Sequence, residues 1–398
     1  MPCNDAIPGV PGAAASGRDD DRDLHGYAGL LDGLAGVPDP RRRAGTRHRL
    51  AVVLAFAVAA VMAGADSVTA IAEWAGDVPP EVAEALGARR DRKGRLAPPS
   101  LSTFRRLLRR MDGQALAAAF GAWLAAQAMA GLADPSCLVI ALDGKAVRGA
   151  RDKDGKAPHL LAAMITGARA VIAQKDVDAK TNEITQVKPL LDDTGVAGAL
   201  VTADALHVQR ETARYLVEDK GADYLFTAVK ENQPGLFAAL DSLDWAGAPV
   251  AHVMEDRGHG RHERRTIQVL PAPEGVFPYA DQAILIERTV RDPHDGKLRS
   301  AVAALGVTSR PKERGGTPEA LAAGVRLHWG IEALHHVRDV TMKEDASRLR
   351  SGSSPQVAAS LRNTAYAALR MAGFTNAAAG RRWAGRNPAR TLAALNLI

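Results

Sequence analysis

Two short apolar runs in this sequence each end in an aspartate. Leu138–Leu142 (LVIAL) leads into Asp143-Gly144, and Ala199–Thr202 (ALVT) leads through Ala203 into Asp204, 61 residues further on. Runs this short and this apolar read as strands buried on both faces. If the two are neighbours in one sheet, both carboxylates leave the same edge. Carboxylates held that close repel unless they share a proton or a divalent cation, so such a pair suits acid–base or metal chemistry. An apolar run followed by Asp-Gly is also a common turn, and Asp143 alone carries little weight.

A third feature lies in RLHWGIEALHHVRDV. His328, Glu332, His336 and Asp339 recur at spacings of four, four and three, so a helix carries all four on one face. Two explanations stay open. One is a hydrogen-bonded network in the core, the usual fate of a buried histidine. The other is a metal site with Glu332 as ligand and His328, His336 and Asp339 orienting it. The zinc-protease helix is excluded because HExxH is absent, whereas a mixed His/Glu/Asp zinc site is not excluded by spacing. Trp329, among polar neighbours, reads as core rather than as a platform for stacking bases.

The elements that must position these residues follow from periodicity and turn signals. Residues 1–23 are rich in Pro, Gly, Ala and Asp and read as a disordered tail. From 24 to 131 the pattern is helical: Leu50–Ala65 is a buried helix, another starts at Ser67, a third at Pro79–Pro80, and Ser100–Asp112 and Gln114–Met129 complete the set. At Asp134–Pro135 the texture changes. Strands are expected at 138–142, 159–166, 170–177, 199–202 and 223–229, a short helix or extended connection at about 182–191, and an amphipathic helix at 208–220. Strand and helix in alternation indicate a mixed α/β sheet. A β-rich stretch follows at about 245–310, then helix from Pro318 through Leu349 and a final basic helix at 355–373.

The 398 residues carry a net charge of +6, which is mild, but its distribution is uneven. Arg41–Arg110 holds 14 Lys and Arg against 6 Asp and Glu, and Ala346–Ile398 holds 8 Arg and no acid, so the rest of the chain is at −10. Two basic regions around an acidic middle suit a protein that grips a polyanion and works on it with carboxylates. The arginine pairs Arg105-Arg106 and Arg109-Arg110 sit at helical spacing and favour phosphate contact, although a solvated helical face gives the same pattern. Hydrophobic residues at 46 % and charged ones at 24 % exclude a largely disordered chain, and two cysteines exclude a disulfide-stapled framework. The first residues are polar where a signal peptide is apolar. The longest uncharged stretch, Leu50–Ala65, is 16 residues, short of the roughly 20 that span a bilayer. A cytoplasmic protein is expected, associated with the nucleoid when on DNA, with no membrane partner.

With these residues laid out, the chain resembles the DDE transposases of bacterial insertion sequences, in the ISAs group that includes the H-repeat-associated proteins. The resemblance is carried by ALDGKAVRGARD, HLLAA, DVDAKTNEI, VTADALHVQRETA, YLFTAVKENQ, DRGHGRHERR, RLHWGIEALHHVRDVTMKEDASRLRSG and LRNTAYAALR, in order. The stretch GTRHRLAVVLAFAVAAVMAGADSVTAIAEWA is similar to the helical domain associated with that group. One departure is Ala333, where the group often has Asn, followed by a shorter spacer. The resemblance implies an α/β fold: a ribonuclease-H-like catalytic core over 135–398 with a β-rich insertion at about 245–310, preceded by the all-helical DNA-binding domain at 24–131. It places the acidic triad at Asp143, Asp204 and Glu332, and it alone selects Glu332 over Glu344 or Asp345.

A triad of this kind holds two Mg²⁺ ions, or Mn²⁺ as substitute, about 3.5–4 Å apart for DNA end cleavage and strand transfer. Oxygen-only ligands favour these ions over zinc. Lys145, Arg148 and Arg151, just past Asp143, and more weakly Lys180 and Lys230, are candidate DNA contacts beside Arg105, Arg106, Arg109 and Arg110. His259 and His262 read as backbone-contacting or turn residues. The expected partner is double-stranded DNA, both element ends and target, held by a homodimer or larger assembly. A catalytically decayed DNA-binding relic and a metal-dependent nuclease that does not join strands are the alternatives.

Overall fold

A computed structural model describes residues 29–42, 46–132, 137–177, 182–227, 229, 233–258 and 260–397. The expected tail at 1–23, Lys180, Lys230 and His259 lie outside the described residues. The chain opens with helices α1 (Leu30–Ala35), α2 (Leu50–Met62), α3 (Val68–Asp77) and α4 (Pro80–Ala85). A small hairpin, β1 (Arg89–Arg90) and β2 (Leu96–Ala97), leads to α5 (Leu101–Arg110) and α6 (Gly113–Ala130). Then come β3 (Val139–Ala146), β4 (His159–Ile165), β5 (Ala170–Val177), α7 (Glu183–Leu191), β6 (Leu200–Ala203), α8 (Arg210–Arg214), β7 (Asp223–Phe226) and α9 (Pro234–Asp241). Strands β8 (His252–Gly258), β9 (Arg261–Pro271), β10 (Gln282–Arg291) and β11 (Leu298–Thr308) precede α10 (Pro318–His336), α11 (Ser354–Met371), α12 (Ala377–Arg386) and α13 (Ala389–Ala394).

The chain forms two compact units. A sheet unit takes its described residues from 137–143 and 183–330, and a helical unit from 29–132, 144–182 and 331–397. In the sheet unit seven strands neighbour one another in the order β3-β6-β7-β11-β10-β9-β8. β6 runs parallel to β3, from Val139↔Leu200 to Leu142↔Ala203, and parallel to β7 on its other side. β6 and β7 are buried throughout, which is why they read as unbroken apolar runs. β11 joins β7 antiparallel at Val307↔Phe226, and the meander β11-β10-β9-β8 grows from it. The β-rich stretch therefore extends the sheet. Val139, Leu200, Leu225, Ile267 and Ile284 form the core with Leu321 and Ala322 of α10. At Gly324 the helix lies so close that a Cβ would stand 3.0 Å from Leu225 and 3.1 Å from Leu200.

In the helical unit α2 is buried on every side, as its all-apolar sequence requires. It packs against α1, α3 and α11, and α11 packs against α6 as well. The N-terminal helices, expected as a domain of their own, thus share a core with the C-terminal ones. Gly121 lets α6 lie on β5: a Cβ there would stand 2.0 Å from the Ile172 carbonyl oxygen. Ser67 caps α3 through Ala70 N–H, and Asp112 caps α6 through Gln114 and Ala115 N–H.

Several expectations are corrected. The N-terminal region contains the β1–β2 hairpin, closed by Asp91 and Gly94. The amphipathic helix at 208–220 is α8 followed by a π-helical turn, Tyr215–Asp219. Helix from Pro318 ends in a second π-helical turn, Val337–Thr341, well short of Leu349. Beyond residue 373 the chain continues into α12 and α13, whose Ala- and Arg-rich sequences lack a plain apolar period. Among the described residues no helix is long and apolar enough to cross a membrane.

Candidate active site

Strand β3 does not turn at Asp143-Gly144. It runs on to Ala146, and only its pairing with β6 stops at Leu142↔Ala203. Asp143 and Asp204 are the next residues along these two parallel strands, whose axes lie about 4.8 Å apart. Asp204 caps a 3₁₀ turn, Ala205–His207, by accepting from Leu206 N–H at 3.0 Å. That bond fixes the carboxylate at the strand end while leaving it exposed. Asp143 is half-buried.

His328 of α10 completes this corner of the sheet unit. It is buried, and its Nδ1 lies 3.0 Å from the hydroxyl of Thr202, the β6 residue two before Asp204. Burial lowers the pKa of the imidazole, the charges of Asp143 and Asp204 oppose that, and His207 reinforces it. Burial wins, so the ring is neutral at pH 7. His207 is itself buried, its Nε2 3.4 Å from a Glu183 carboxylate oxygen. The unit therefore brings together Asp143, Asp204 and His328. Among the described residues no three His, Cys, Asp or Glu side chains form a group able to hold a metal ion.

The four-residue stripe read along α10 holds for His328, Glu332 and His336. Asp339 falls in the π-helical turn, where the α spacing no longer applies. Glu332 and His336 are exposed. In the helical unit Asp339 binds Lys145, whose Nζ donates to Oδ2 at 2.8 Å and stands 2.6 Å from Oδ1. Lys145 is buried, so its ammonium is committed to Asp339 rather than presented to solvent. Glu344, 3.9 Å from the same ammonium, is fully buried and receives Arg338 through contacts of 2.8, 2.9 and 3.1 Å and Arg362 at 3.4 Å. Burial raises the Glu344 pKa, but Arg338, Arg362 and Lys145 together bring it below the usual carboxylate range. Glu344 is a structural acid.

The family described as Transposase DDE domain matches residues 136–368, and the family described as DDE_Tnp_1-associated matches residues 31–124. The chain belongs to the DDE transposases. The protein named "Putative transposase YncI" of Escherichia coli O157:H7 is 30% identical over 363 residues, 86% of this chain and 87% of that one. "H repeat-associated putative transposase YhhI" of Escherichia coli (strain K12) is 30% identical over 247 residues, 57% of this chain and 62% of that one. Among solved structures, a piggyBac transposase synaptic complex with hairpin DNA aligns over 92% of this chain and 78% of that chain, at 14% identity and a TM-score of 0.40.

The transposase also presents a basic face on its helical unit. Phe104, Leu107 and Leu108 of α5 are buried, which turns Arg105, Arg106, Arg109 and Arg110 outward. All four line a groove of about 810 Å³ with Lys343, Arg348 and Arg350. Arg106 and Arg110 also line a second, of about 830 Å³, with Arg41, Arg42, Arg47 and Arg89. Arg148 and Arg151 are exposed, and His262 is paired with Glu255 at 3.4 Å. Trp329 is not core: it is 46 % exposed. The sequence reading missed two contributors and weighed a third, Glu344, only as an alternative to Glu332. Thr202 and His207 are signalled only by their closeness to Asp204, and Glu344 only by the acids of MKED.

Proposed function

We propose that this transposase cuts DNA at the ends of an insertion sequence and joins them to a target by DDE chemistry, with Asp143, Asp204 and Glu332 as its acids. The observation that carries the proposal is the pair Asp143 and Asp204, each the next residue after the last pair of adjacent parallel strands, with their charges acting on the buried, neutral His328. Glu332 lies one turn beyond His328 in α10, on the same helical face. The three-carboxylate donor set is all oxygen, which fits Mg²⁺ or Mn²⁺. Two such ions would lower the pKa of the attacking water or 3′-hydroxyl and stabilise the leaving oxygen.

The chain's own residues do the rest. Leu206 N–H orients the Asp204 carboxylate, and Thr202 holds His328 so that a neutral ring, not a competing cation, faces the acids. Parallel β3, β6 and β7, with Asp143 and Asp204 just past the last β3–β6 pair, support a ribonuclease-H-like core. The α5 face and Arg148 take duplex phosphates, whose contacts fix register without reading sequence. Joining requires two ends at once, so a dimer or larger assembly on DNA is part of the proposal.

The test is a labelled duplex carrying the ends of the host element, incubated with Mg²⁺, Mn²⁺ or EDTA, for the wild type and Asp204→Asn. Metal-dependent nicking at the end, with joined products, is expected from the wild type, and Asp204→Asn should bind yet not cut. Undiminished cutting by Asp204→Asn removes the site assignment. Nicking without joined products favours a nuclease.

A further inference from the structure

Asp204 stands at the head of a turn that has little of its own to hold it. The 3₁₀ turn Ala205–His207 is closed by His207 N–H on the Asp204 carbonyl at 3.1 Å and by Val208 N–H on the Ala205 carbonyl at 3.3 Å. A helical piece this short is weakly stable by itself. Leu206, whose N–H holds the Asp204 carboxylate at 3.0 Å, is 40 % exposed, so burial does not fix it. Two braces do. His207 is buried with its Nε2 3.4 Å from Glu183 of α7, and Gln209 donates from Nε2 to the Leu206 carbonyl at 3.2 Å.

Gln209 is held in turn by Gln233, which donates from Nε2 to Gln209 Oε1 at 3.3 Å. The order of donors is forced, because the Leu206 carbonyl can only accept. That turns the Gln209 NH₂ toward Leu206 and its oxygen toward Gln233. The two glutamines come from different strand ends: Gln209 follows β6 and directly precedes α8, and Gln233 follows β7 and directly precedes α9. β6 and β7 run parallel with Ala203 opposite Phe226, so the chain leaves both at the same edge of the sheet. Both glutamines are half-buried, which limits competition from water. They lie in the stretches VTADALHVQRETA and YLFTAVKENQ, and the chemistry proposed above gives neither a task.

We infer that Gln233 and Gln209 are positioning residues, which hold through Leu206 the turn that aims the Asp204 carboxylate. The inference rests on the transposase reading, because that reading makes Asp204 a catalytic acid. The role requires neither amide to touch DNA, and neither amide titrates, so the pH profile of cutting keeps its shape when they are replaced.

The test uses the intact chain with Gln209→Met and Gln233→Met, which keep the side-chain length and remove the amide, and with both together. In EDTA, hydrogen exchange of the segment 204–209 should speed up in each single variant, while affinity for a duplex carrying the element ends stays at the wild-type value. With Mg²⁺, each should cut about 10- to 100-fold more slowly at unchanged KM for DNA and need more metal for half-maximal rate, as expected when a group orienting a metal-binding carboxylate is lost. The double variant should be no slower than Gln209→Met, because Gln233 acts through Gln209. Gln209→Glu keeps the acceptor for Gln233 but loses the donor to Leu206, and should cut no faster than Gln209→Met. Melting midpoints within about 4 °C of wild type show that the variants fold. A wild-type cutting rate in either single variant, or losses that add in the double, overturns the inference. Weakened DNA affinity at unchanged exchange overturns it too and makes the glutamines DNA contacts. A wild type that cuts no end with either metal removes the transposase reading, and this inference with it.

Discussion

Glu344→Gln separates a structural acid from a catalytic one, and its cost follows from the contacts. Glu344 is wholly buried between Arg338 and Arg362, with Lys145 3.9 Å away and Asp339 the other anion of the group. Three cations face two anions in the wild type. The amide leaves three facing one, with Arg338 unable to reach water. Breaking a buried ion pair by removing one partner costs about 3–5 kcal/mol, and glutamine should sit near the lower bound because its remaining oxygen still accepts one guanidinium N–H. Urea unfolding followed by circular dichroism reads this as a lower midpoint at unchanged slope.

Asp345→Asn, at an exposed neighbour, should stay within about 0.5 kcal/mol. The pH dependence supplies a second reading. Because the folded pKa of Glu344 lies below its ordinary 4.5, the unfolded chain takes up the proton first. The stabilisation is complete above about pH 4.5 and fades as the pH falls through the folded value, so Glu344→Gln should flatten that acid limb. A loss under about 1 kcal/mol with abolished DNA cleavage would refute this reasoning and move the catalytic glutamate to 344.

Two further outcomes are expected. Gly121→Ala should destabilise by about 1–3 kcal/mol, because its Cβ would stand 2.0 Å from the Ile172 carbonyl oxygen and backbone cannot swing aside. Gly36→Ala, with nothing within 4 Å, is the control, and equal thermal midpoints for the two would contradict the packing of α6 on β5. Replacing Arg105 and Arg109 together by Ala should reduce the slope of log K against log salt by about 0.9 for each phosphate no longer neutralised, with the fold intact. A slope identical to wild type would show that DNA does not lie on α5.

The two aspartates were legible because an apolar run buried on both faces disfavours an unpaired charge, so a carboxylate that follows it marks where burial ends. That β3 and β6 are neighbours, which makes the aspartates a pair, depends on pairing between segments 61 residues apart, and no local pattern states it. The continuation of β3 through Asp143-Gly144 was hidden for the same reason: the dipeptide favours a turn, and extended structure prevails only in the folded chain. Periodicity along α10 placed His328, Glu332 and His336 on one face but ran one step too far, since it assumes a constant pitch and the helix widens at Val337. Trp329, among polar neighbours, reads from sequence as core rather than as a stacking platform. Its exposure depends on Arg265 and Arg288, which belong to other strands. Glu344 stood in the sequence only as an alternative to Glu332, and it is the convergence of Arg338 and Arg362 that shows it as an internal ion-pair partner.

The buried charges also bear on how the proposed acids are held. Lys145 stands two residues after Asp143 in β3, Asp339 and Arg338 lie in the turn that ends α10, Glu344 follows that turn, and Arg362 belongs to α11. Their ion pairs join three segments distant in sequence: β3, the stretch from 338 to 344, and α11. An apolar cluster of equal volume could be as stable, because desolvation consumes most of what buried ion pairs contribute. It would not impose the same geometry: a bidentate guanidinium–carboxylate pair fixes direction as well as distance, whereas packed aliphatic chains slide at little cost. Strain at β3 or at the end of α10 would shift Asp143 or Glu332, and metal-dependent phosphoryl transfer loses rate steeply with such displacements. On this argument the network serves register more than stability. Lys145→Met should therefore depress the proposed DNA cleavage more than it depresses the urea midpoint, with Lys145→Arg intermediate in both.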